Sequence, residues 1–467
     1  MINSCQDTIV APATTPGTGA ISIVRLSGPG AFDIADAVVS LRKGSIAASE
    51  AYTIHYGEVE GLDDVLVSVF RAPHSYTGED SVEISTHASA YIVQELVSRL
   101  LKAGARFAQA GEFTRRAFLN GKMDLAQAEA VADVIASSTA AAHRVAMNQL
   151  RGGFSQELSS LRSELLEMAS LLELELDFSE EDVEFANREQ LKKLLETTKE
   201  HVDKLAASFR QGNLIKNGVP VAIVGPANAG KSTLLNALLG EERAIVTDIP
   251  GTTRDTLEET LNLGGILFRF IDTAGIRESQ DTVEKMGIER SFQSVAKAEI
   301  VLLVLDATLP AARLQEELRS LLSRLEVTGQ KLFLLLNKAD KSTHNKNVIT
   351  ANISVTQGDY QIITISISAK HGSGMEELKK ALLQTEKDLI PNEDSIFVTN
   401  TRHLEALQNA SVALEACRTA LSMSIPSDLV AEDLRRALAG INAILGTDLL
   451  DPEEILHNIF KNHCIGK

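Results

Sequence analysis

Residues 219–240 read VPVAIVGPANAGKSTLLNALLG. An apolar run, the loop Gly225-Pro-Ala-Asn-Ala-Gly230-Lys231-Ser232 and an apolar helix-like run follow one another. This is the strand, G-x-x-x-x-G-K-[ST] loop and helix order of a phosphate-binding loop. The glycines let the backbone curl so that successive N–H groups, from Asn228 through Ala229, Gly230 and Thr233, face phosphate oxygens. Lys231 places a cation on the β- and γ-phosphates. The Ser232 hydroxyl is a Mg²⁺ ligand, and the helix N-terminus adds a favourable dipole.

Downstream signals select the nucleotide. Asp272-Thr273-Ala274-Gly275 ends the apolar run LFRFI, which suits Mg²⁺ through a water and a backbone N–H on the γ-phosphate. Asn337-Lys338-Ala339-Asp340 ends KLFLLL. The Asp340 carboxylate can accept both N1–H and the 2-amino group of guanine, donors that adenine lacks. Ser368-Ala369-Lys370 ends IITISI, where a backbone N–H can read guanine O6. Between the first two motifs, Asp248-Ile-Pro-Gly-Thr252-Thr253-Arg254-Asp255 offers a switch-like threonine, assigned to Thr253, for Mg²⁺ and the γ-phosphate. Ile276 follows Gly275, where many GTPases carry a water-orienting glutamine. Isoleucine cannot do this, so the group must come from elsewhere; Glu284, in the charged stretch RESQDTVEK, is a candidate, and a solvated helix-start glutamate is the alternative.

Around this module the chain changes character. Strands expected at 219–224, 267–271, 300–305, 331–336 and 362–366 alternate with helices, as in βαβ units with a mostly parallel sheet. Residues 1–121 mix β-like runs (20–26, 52–59, 65–70) with Gly/Pro turns and a helix over 88–102. Leu125 to Arg210 has no proline, and Leu158, Leu161, Leu165, Met168 and Leu172 share one helix face. The acidic run 177–184 reads as a solvated turn. Helices return over 401–421 and 428–445, with a short one after Asp451-Pro452. The expected architecture is multidomain α/β. It has an N-terminal α+β domain (1–121), a discontinuous helical domain (122–212 and 390–467) and an inserted Ras-like P-loop GTPase domain (213–389).

Composition bounds the function. The chain has 467 residues, room for about three domains at ~150 each. Its 44% apolar and 23% charged residues are ordinary globular usage. Lys+Arg is 45 against Asp+Glu 63, a net charge of −18, so broad nucleic-acid binding needs a local patch or a basic partner. Three cysteines, Cys5, Cys417 and Cys464, make no disulfide framework. With no basic leader before an apolar run and no apolar span of ~18 residues, a soluble cytoplasmic protein is expected.

Further strings extend the reading. They are Asp7-Thr-Ile-Val-Ala, Pro16-Gly17, Arg25-Leu-Ser-Gly-Pro, Ser75-Tyr-Thr-Gly-Glu-Asp80 and Gly111-Glu-Phe-Thr. Arg116-Ala-Phe-Leu-Asn-Gly-Lys122-Met-Asp-Leu-Ala and the terminal Cys464-Ile-Gly-Lys467 complete the set. With the GTPase motifs, in this order and over the whole chain, they resemble the tRNA-modifying GTPases called MnmE or TrmE. The loop reads Gly-Pro-Ala-Asn where that family usually has Gly-Arg-Pro-Asn, with Asn228 kept. The resemblance implies a dimerising N-terminal domain that binds 5-formyl- or 5,10-methylene-tetrahydrofolate through Arg25, Glu83, Lys122 and Lys467. It implies K⁺ at Asn228, Thr247, Ile249 (backbone) and Thr252, and a water-organising role for Glu284. It implies an FAD-dependent MnmG (GidA) partner, with which an aminomethyl or carboxymethylaminomethyl group is built at C5 of the wobble uridine of certain tRNAs. Cys464 is a candidate functional thiol, and Cys5 and Cys417 are expected to be inert. The rivals are a ribosome-assembly GTPase, for which no basic Gly-x-x-Gly appendage is found, a partner-binding switch without hydrolysis, and a lone folate-dependent methyltransferase.

Overall fold

The structure is a computed structural model describing residues 7–177, 188–240, 258–271, 295–325, 329–342, 362–389, 395–423, 427–447, 459–460, 463 and 466. It divides into two compact units: Met1–Ala136, Ala146–Lys204 and Arg402–Lys467 form one, and Ser137–Val145 and Leu205–Thr401 the other. The acidic run, except for Asp177, and most of the expected terminal helix lie outside the described residues.

The first unit holds β1 (Ile9–Pro12), β2 (Ile21–Ser27), β3 (Ser40–Leu41), β4 (Thr53–Val59), β5 (Asp63–Phe70), β6 (Ser81–His87) and β7 (Arg106–Phe107). They make a sheet in the order β3-β4-β5-β6-β2-β1-β7, antiparallel except at β1–β7. Side chains alternate between its faces. Val24, Leu26, Val65, Val67, Val69, Val82 and Ile84 pack one face against Leu96, Val97 and Leu100 of the helix Ala90–Lys102. The other face carries Arg25 and Glu83, paired in register across β2 and β6, and the exposed Ile21, Ile54, Tyr56 and Leu66. The helix Glu112–Leu119 covers only the β1 end of this face, where Phe113 packs with Ile9 and Ala11, and the Arg25–Glu83 pair at its border is 17% and 23% exposed.

Long helices follow at Leu125–Ala136, Gly153–Asp177, Arg188–Ala207, Thr401–Ser422 and Ser427–Leu445. The expected stripe is the buried one: Leu158, Leu161, Leu165, Met168 and Leu172 are each at most 1% exposed. A charged cluster is buried among these helices. Arg402 binds both oxygens of Glu129 (2.9 Å each), and His403 Nε2 lies 2.6 Å from Glu129 Oε2. Arg402 also donates to the carbonyls of Ala443 and Ile444 at a helix C-terminus.

The second unit holds β8 (Val219–Val224), β9 (Glu259–Leu263), β10 (Ile266–Phe270), β11 (Ile300–Asp306), β12 (Lys331–Asn337) and β13 (Ile362–Ser366). Their order is β13-β12-β11-β8-β10-β9, parallel except for β9. Both faces are covered, which is why β8, β11 and β12 are nearly continuous apolar runs. Val221, Leu302 and Phe333 meet Leu234 and Leu238 of the helix Lys231–Leu239. Val224, Leu303 and Leu334 meet Leu314 and Leu318 of the helix Ala311–Arg324. Such a sheet leaves its chemistry to the loops at the carboxyl ends of its strands.

Candidate functional site

The phosphate loop leaves β8 and enters the helix Lys231–Leu239 through Gly230. Gly230 has φ +96°, and a Cβ there would run into the Asn337 side-chain amide. A Cβ on Gly225 would strike the Val304 carbonyl. Asn228 is left-handed at φ +59°, a conformation asparagine tolerates better than most residues. The Lys231 ammonium curls over the loop and donates to the carbonyls of Gly225 and Pro226, 2.8 Å each. Ala229 is buried, while Ser232 and Thr233 are exposed at the helix start. A lysine, a hydroxyl and a helix N-terminus at one loop fit an anionic phosphate with a hard divalent cation.

The base-reading loops lie at the ends of β12 and β13. Asn337 is 3% exposed and braces the site. Its Nδ2 donates to the Ala229 carbonyl (2.8 Å), and its Oδ1 accepts from the Ala369 amide (3.1 Å). Of the loop 368–370, where a backbone N–H is expected to read guanine O6, the Ala369 amide is held by Asn337. Asp340 Oδ1 accepts from the Ser368 hydroxyl (2.6 Å), which holds its carboxyl below the usual range. Lys338, at φ +63°, reaches back to Asp306 Oδ2 (2.6 Å). Burial pushes the Asp306 carboxyl up, but the bonds from Lys338 and Thr308 outweigh it and hold it low. Lys370 is exposed. Asp306 was not singled out from sequence, although it ends an apolar strand as Asn337 does.

Thr247, Ile249, Thr252, Thr253, Asp272, Thr273, Ala274, Gly275 and Glu284 lie outside the described residues, as do Cys5, Cys464 and Lys467.

A second charged site lies on the open face of the seven-stranded sheet. Arg25 binds Glu83 through Nε (2.8 Å) and its second terminal nitrogen (2.7 Å) and donates to the Gly466 carbonyl (3.2 Å). Its guanidinium lies 5.6 Å from the ring centres of both Tyr76 and Phe113. Gly466 is at φ +102°, and a Cβ there would meet the backbone of Pro12 and Ala13. The C-terminal residues that are described thus end beside Arg25. Lys122 donates instead to the Pro73 carbonyl (2.9 Å) and packs beside Gly78. Burial raises the Tyr76 phenol pKa against the opposing Thr114 hydroxyl bond and the Arg25 charge. Tyr76 and Phe113 sit inside quoted strings, yet nothing in their spacing marks them as facing Arg25. The thiol of Cys417 is buried and pushed up to about 12, the inert state expected of it.

Residues 125–464 match the family model described as the MnmE helical domain, and residues 8–122 match that of the GTP-binding protein TrmE N-terminus. A Bacteroides thetaiotaomicron protein named tRNA modification GTPase MnmE is 49% identical over 469 residues, covering 99% of this chain and all of that one. A Cytophaga hutchinsonii protein of the same name is 48% identical over 470 residues, covering all of this chain and 99% of that one. Among solved structures, the G domain of the T. maritima FeoB iron transporter aligns at 28% identity with a TM-score of 0.25, covering 36% of this chain and 97% of that one. Among the described residues no helix is long and apolar enough to cross a membrane.

Proposed function

The chain belongs to the MnmE/TrmE family of tRNA modification GTPases, and from that premise we propose how its two sites share one reaction. It is a GTP hydrolase of tRNA modification and binds guanine nucleotide and Mg²⁺. In our reading the boundaries are 1–121, 122–212 with 390–467, and 213–389.

Phosphate charge is met by the loop amides from Asn228 to Thr233 and by the Lys231 ammonium, which must leave the Gly225 and Pro226 carbonyls to do so. Asp340 accepts from guanine N1–H and the 2-amino group, and Ser368 keeps that carboxyl ionised and aimed. A backbone amide of the loop Ser368-Ala369-Lys370 serves O6, those of Ser368 and Ala369 already donating to the Ser373 carbonyl and to Asn337. Ser232 and Thr253 would hold Mg²⁺, with Asp272 acting through a water and Thr273, Ala274 and Gly275 lining the γ-phosphate. Asn228, Thr247, Ile249 and Thr252 would hold K⁺. Such cations neutralise charge that builds on the phosphates. Glu284 orients the attacking water in place of the missing glutamine.

Arg25, Glu83, Lys122 and Lys467 would hold a tetrahydrofolate one-carbon carrier. A guanidinium suits its glutamate carboxylates, and a carboxylate suits the N–H edge of its pterin. Cys464 would lie at that end of the chain. The exposed Ile21, Ile54, Tyr56 and Leu66 on the same face support homodimerisation through the N-terminal domain. The −18 net charge favours a partner, the FAD-dependent MnmG, that carries the basic surface for tRNA. The product is a wobble uridine bearing an aminomethyl or carboxymethylaminomethyl group at C5, made in the cytoplasm.

The observation that carries this reading is the braced cradle, in which Asn337 joins a phosphate loop containing left-handed Asn228 to the guanine-reading loop. The test is GTP hydrolysis in KCl against NaCl at equal ionic strength, with Asn228→Ala and Glu284→Ala alongside. A large K⁺ stimulation lost in both variants is expected. Equal rates in both salts would return the ribosome-assembly and switch readings.

A further inference from the structure

Arg25 is useful to a ligand only if its guanidinium stays in the slot between Tyr76 and Phe113. Those rings come from different segments, the loop 71–80 and the helix Glu112–Leu119. A buried polar network ties the segments together. Arg116, 1% exposed, lies one turn from Phe113 on that helix. One of its terminal nitrogens donates to both oxygens of Glu79 (3.2 Å each) and to the Asp7 carbonyl (2.8 Å). The other reaches Asp7 Oδ1 (2.7 Å) and Glu112 Oε1 (3.1 Å).

Glu79 in turn accepts from the Ser27 hydroxyl (2.7 Å), which also bonds Thr77 (2.6 Å). Ser27 follows Arg25 by two residues in β2 and so shares its face. The Ser75 hydroxyl donates to the Glu79 carbonyl, and the Tyr76 hydroxyl bonds Thr114 (2.8 Å). The loop 71–80, the helix Glu112–Leu119 and β2 therefore meet at the Glu79 carboxylate, the helix through Arg116 and β2 through Ser27. Among the described residues Glu79 forms no ion pair with Arg25, whose carboxylate partner is Glu83.

We propose that Glu79, clamped by Arg116, is a positioning residue for the one-carbon carrier. By locking the loop 71–80 to the helix Glu112–Leu119 and to β2, it fixes the Tyr76–Phe113 slot that holds Arg25. The inference rests on the carrier-site reading above. A buried guanidinium that loses one carboxylate partner redistributes its bonds, so the loop carrying Tyr76 loses its fixed place.

The test is binding of 5-formyl-tetrahydrofolate to the full-length protein by calorimetry, beside carrier-dependent tRNA modification and GTP hydrolysis. Glu79→Gln should weaken carrier binding about tenfold, a size typical of outer partners that orient a binding shell. It should raise the carrier KM with kcat kept, and leave the KM and kcat for GTP unchanged. Arg25→Ala is the control and should weaken binding further. If Arg25→Ala weakens binding and Glu79→Gln binds as wild type, the positioning role is overturned and the carrier site stands. If Arg25→Ala also binds as wild type, the carrier-site reading falls and the inference with it. Should Glu79→Gln melt at assay temperature, Ser27→Ala takes its place. It removes one donor to the same carboxylate, and a carrier KM no higher than wild type would then overturn the proposal.

Discussion

The two sheets of this protein hold their polar chemistry in different places. In the six-stranded sheet the described candidates lie in loops at the carboxyl ends of β8, β12 and β13, each a few residues past an apolar run. In the seven-stranded sheet Arg25 and Glu83 sit in mid-strand on the face opposite the helix Ala90–Lys102, and their neighbours come from residues far apart in sequence. A parallel sheet covered on both faces has only its ends to offer a ligand, whereas an antiparallel sheet covered on one face can offer the other. The first kind of site is written in short contiguous motifs. The second is written in strand register.

The largest effect that would break this comparison is at Gly230. Gly230→Ala drives a Cβ into Asn337 from a left-handed backbone, and GTP hydrolysis should fall by about 10²- to 10³-fold. Calorimetry on the same variant should give wild-type carrier binding, and a parallel loss would mean that the two sites are not separable. Next in size is Asp340→Asn. GTP affinity measured by nucleotide exchange should drop about 100-fold, because the 2-amino group then faces a donor. Xanthosine triphosphate, with an oxygen at that position, should recover much of it.

The third prediction concerns acid. Burial pushes the Glu129 carboxyl up, but the His403 and Arg402 charges and hydrogen bonds overcome it and bring the pKa from 4.5 to about 2. The depressed value means stability that is present above pH 4.5 and lost as pH falls toward 2, worth about 3 kcal/mol. Urea unfolding of the first unit at pH 6 and pH 3 should show about 2 kcal/mol of that loss, since pH 3 lies between the two pKa values, and in Glu129→Gln the pH dependence should be smaller by that amount. An unchanged pH slope in the variant would remove Glu129 as the cause. The smallest effect is at Cys417. With its thiol pushed up to about 12 and buried, it should resist alkylation at pH 8 in the folded protein and react at once in urea.

The same contrast explains what could be read from sequence. β8 and β13 occupy the residues their apolar runs predicted, and β10 is shifted by one residue, because a doubly covered strand is apolar along its length. β6, SVEISTH, passed unread. Its buried Ser81 and Thr86 look polar in sequence but spend their hydroxyls on Glu79, Ser27 and His87 carbonyl or hydroxyl oxygens. β9, ETLNL, is a short edge strand with polar positions and gives no run to notice. Asn337 was legible as a member of a guanine motif, but its two-sided brace between Ala229 and Ala369 depends on β12 lying next to β13 and two strands from β8. Arg116 and Glu79 stood in quoted strings. Their pairing needs a contact across 37 residues, which no local pattern encodes.

The central claim is that GTP hydrolysis in one unit serves one-carbon transfer to tRNA through the Arg25 site in the other. Its most direct measurement is mass spectrometry of the wobble nucleoside after reaction with the flavin-bearing partner, tRNA, GTP and a carrier labelled with ¹³C in its one-carbon unit. The account predicts label in the C5 substituent with GTP present, and none with Lys231→Ala or Arg25→Ala. Label appearing at the wild-type level in either variant would contradict it.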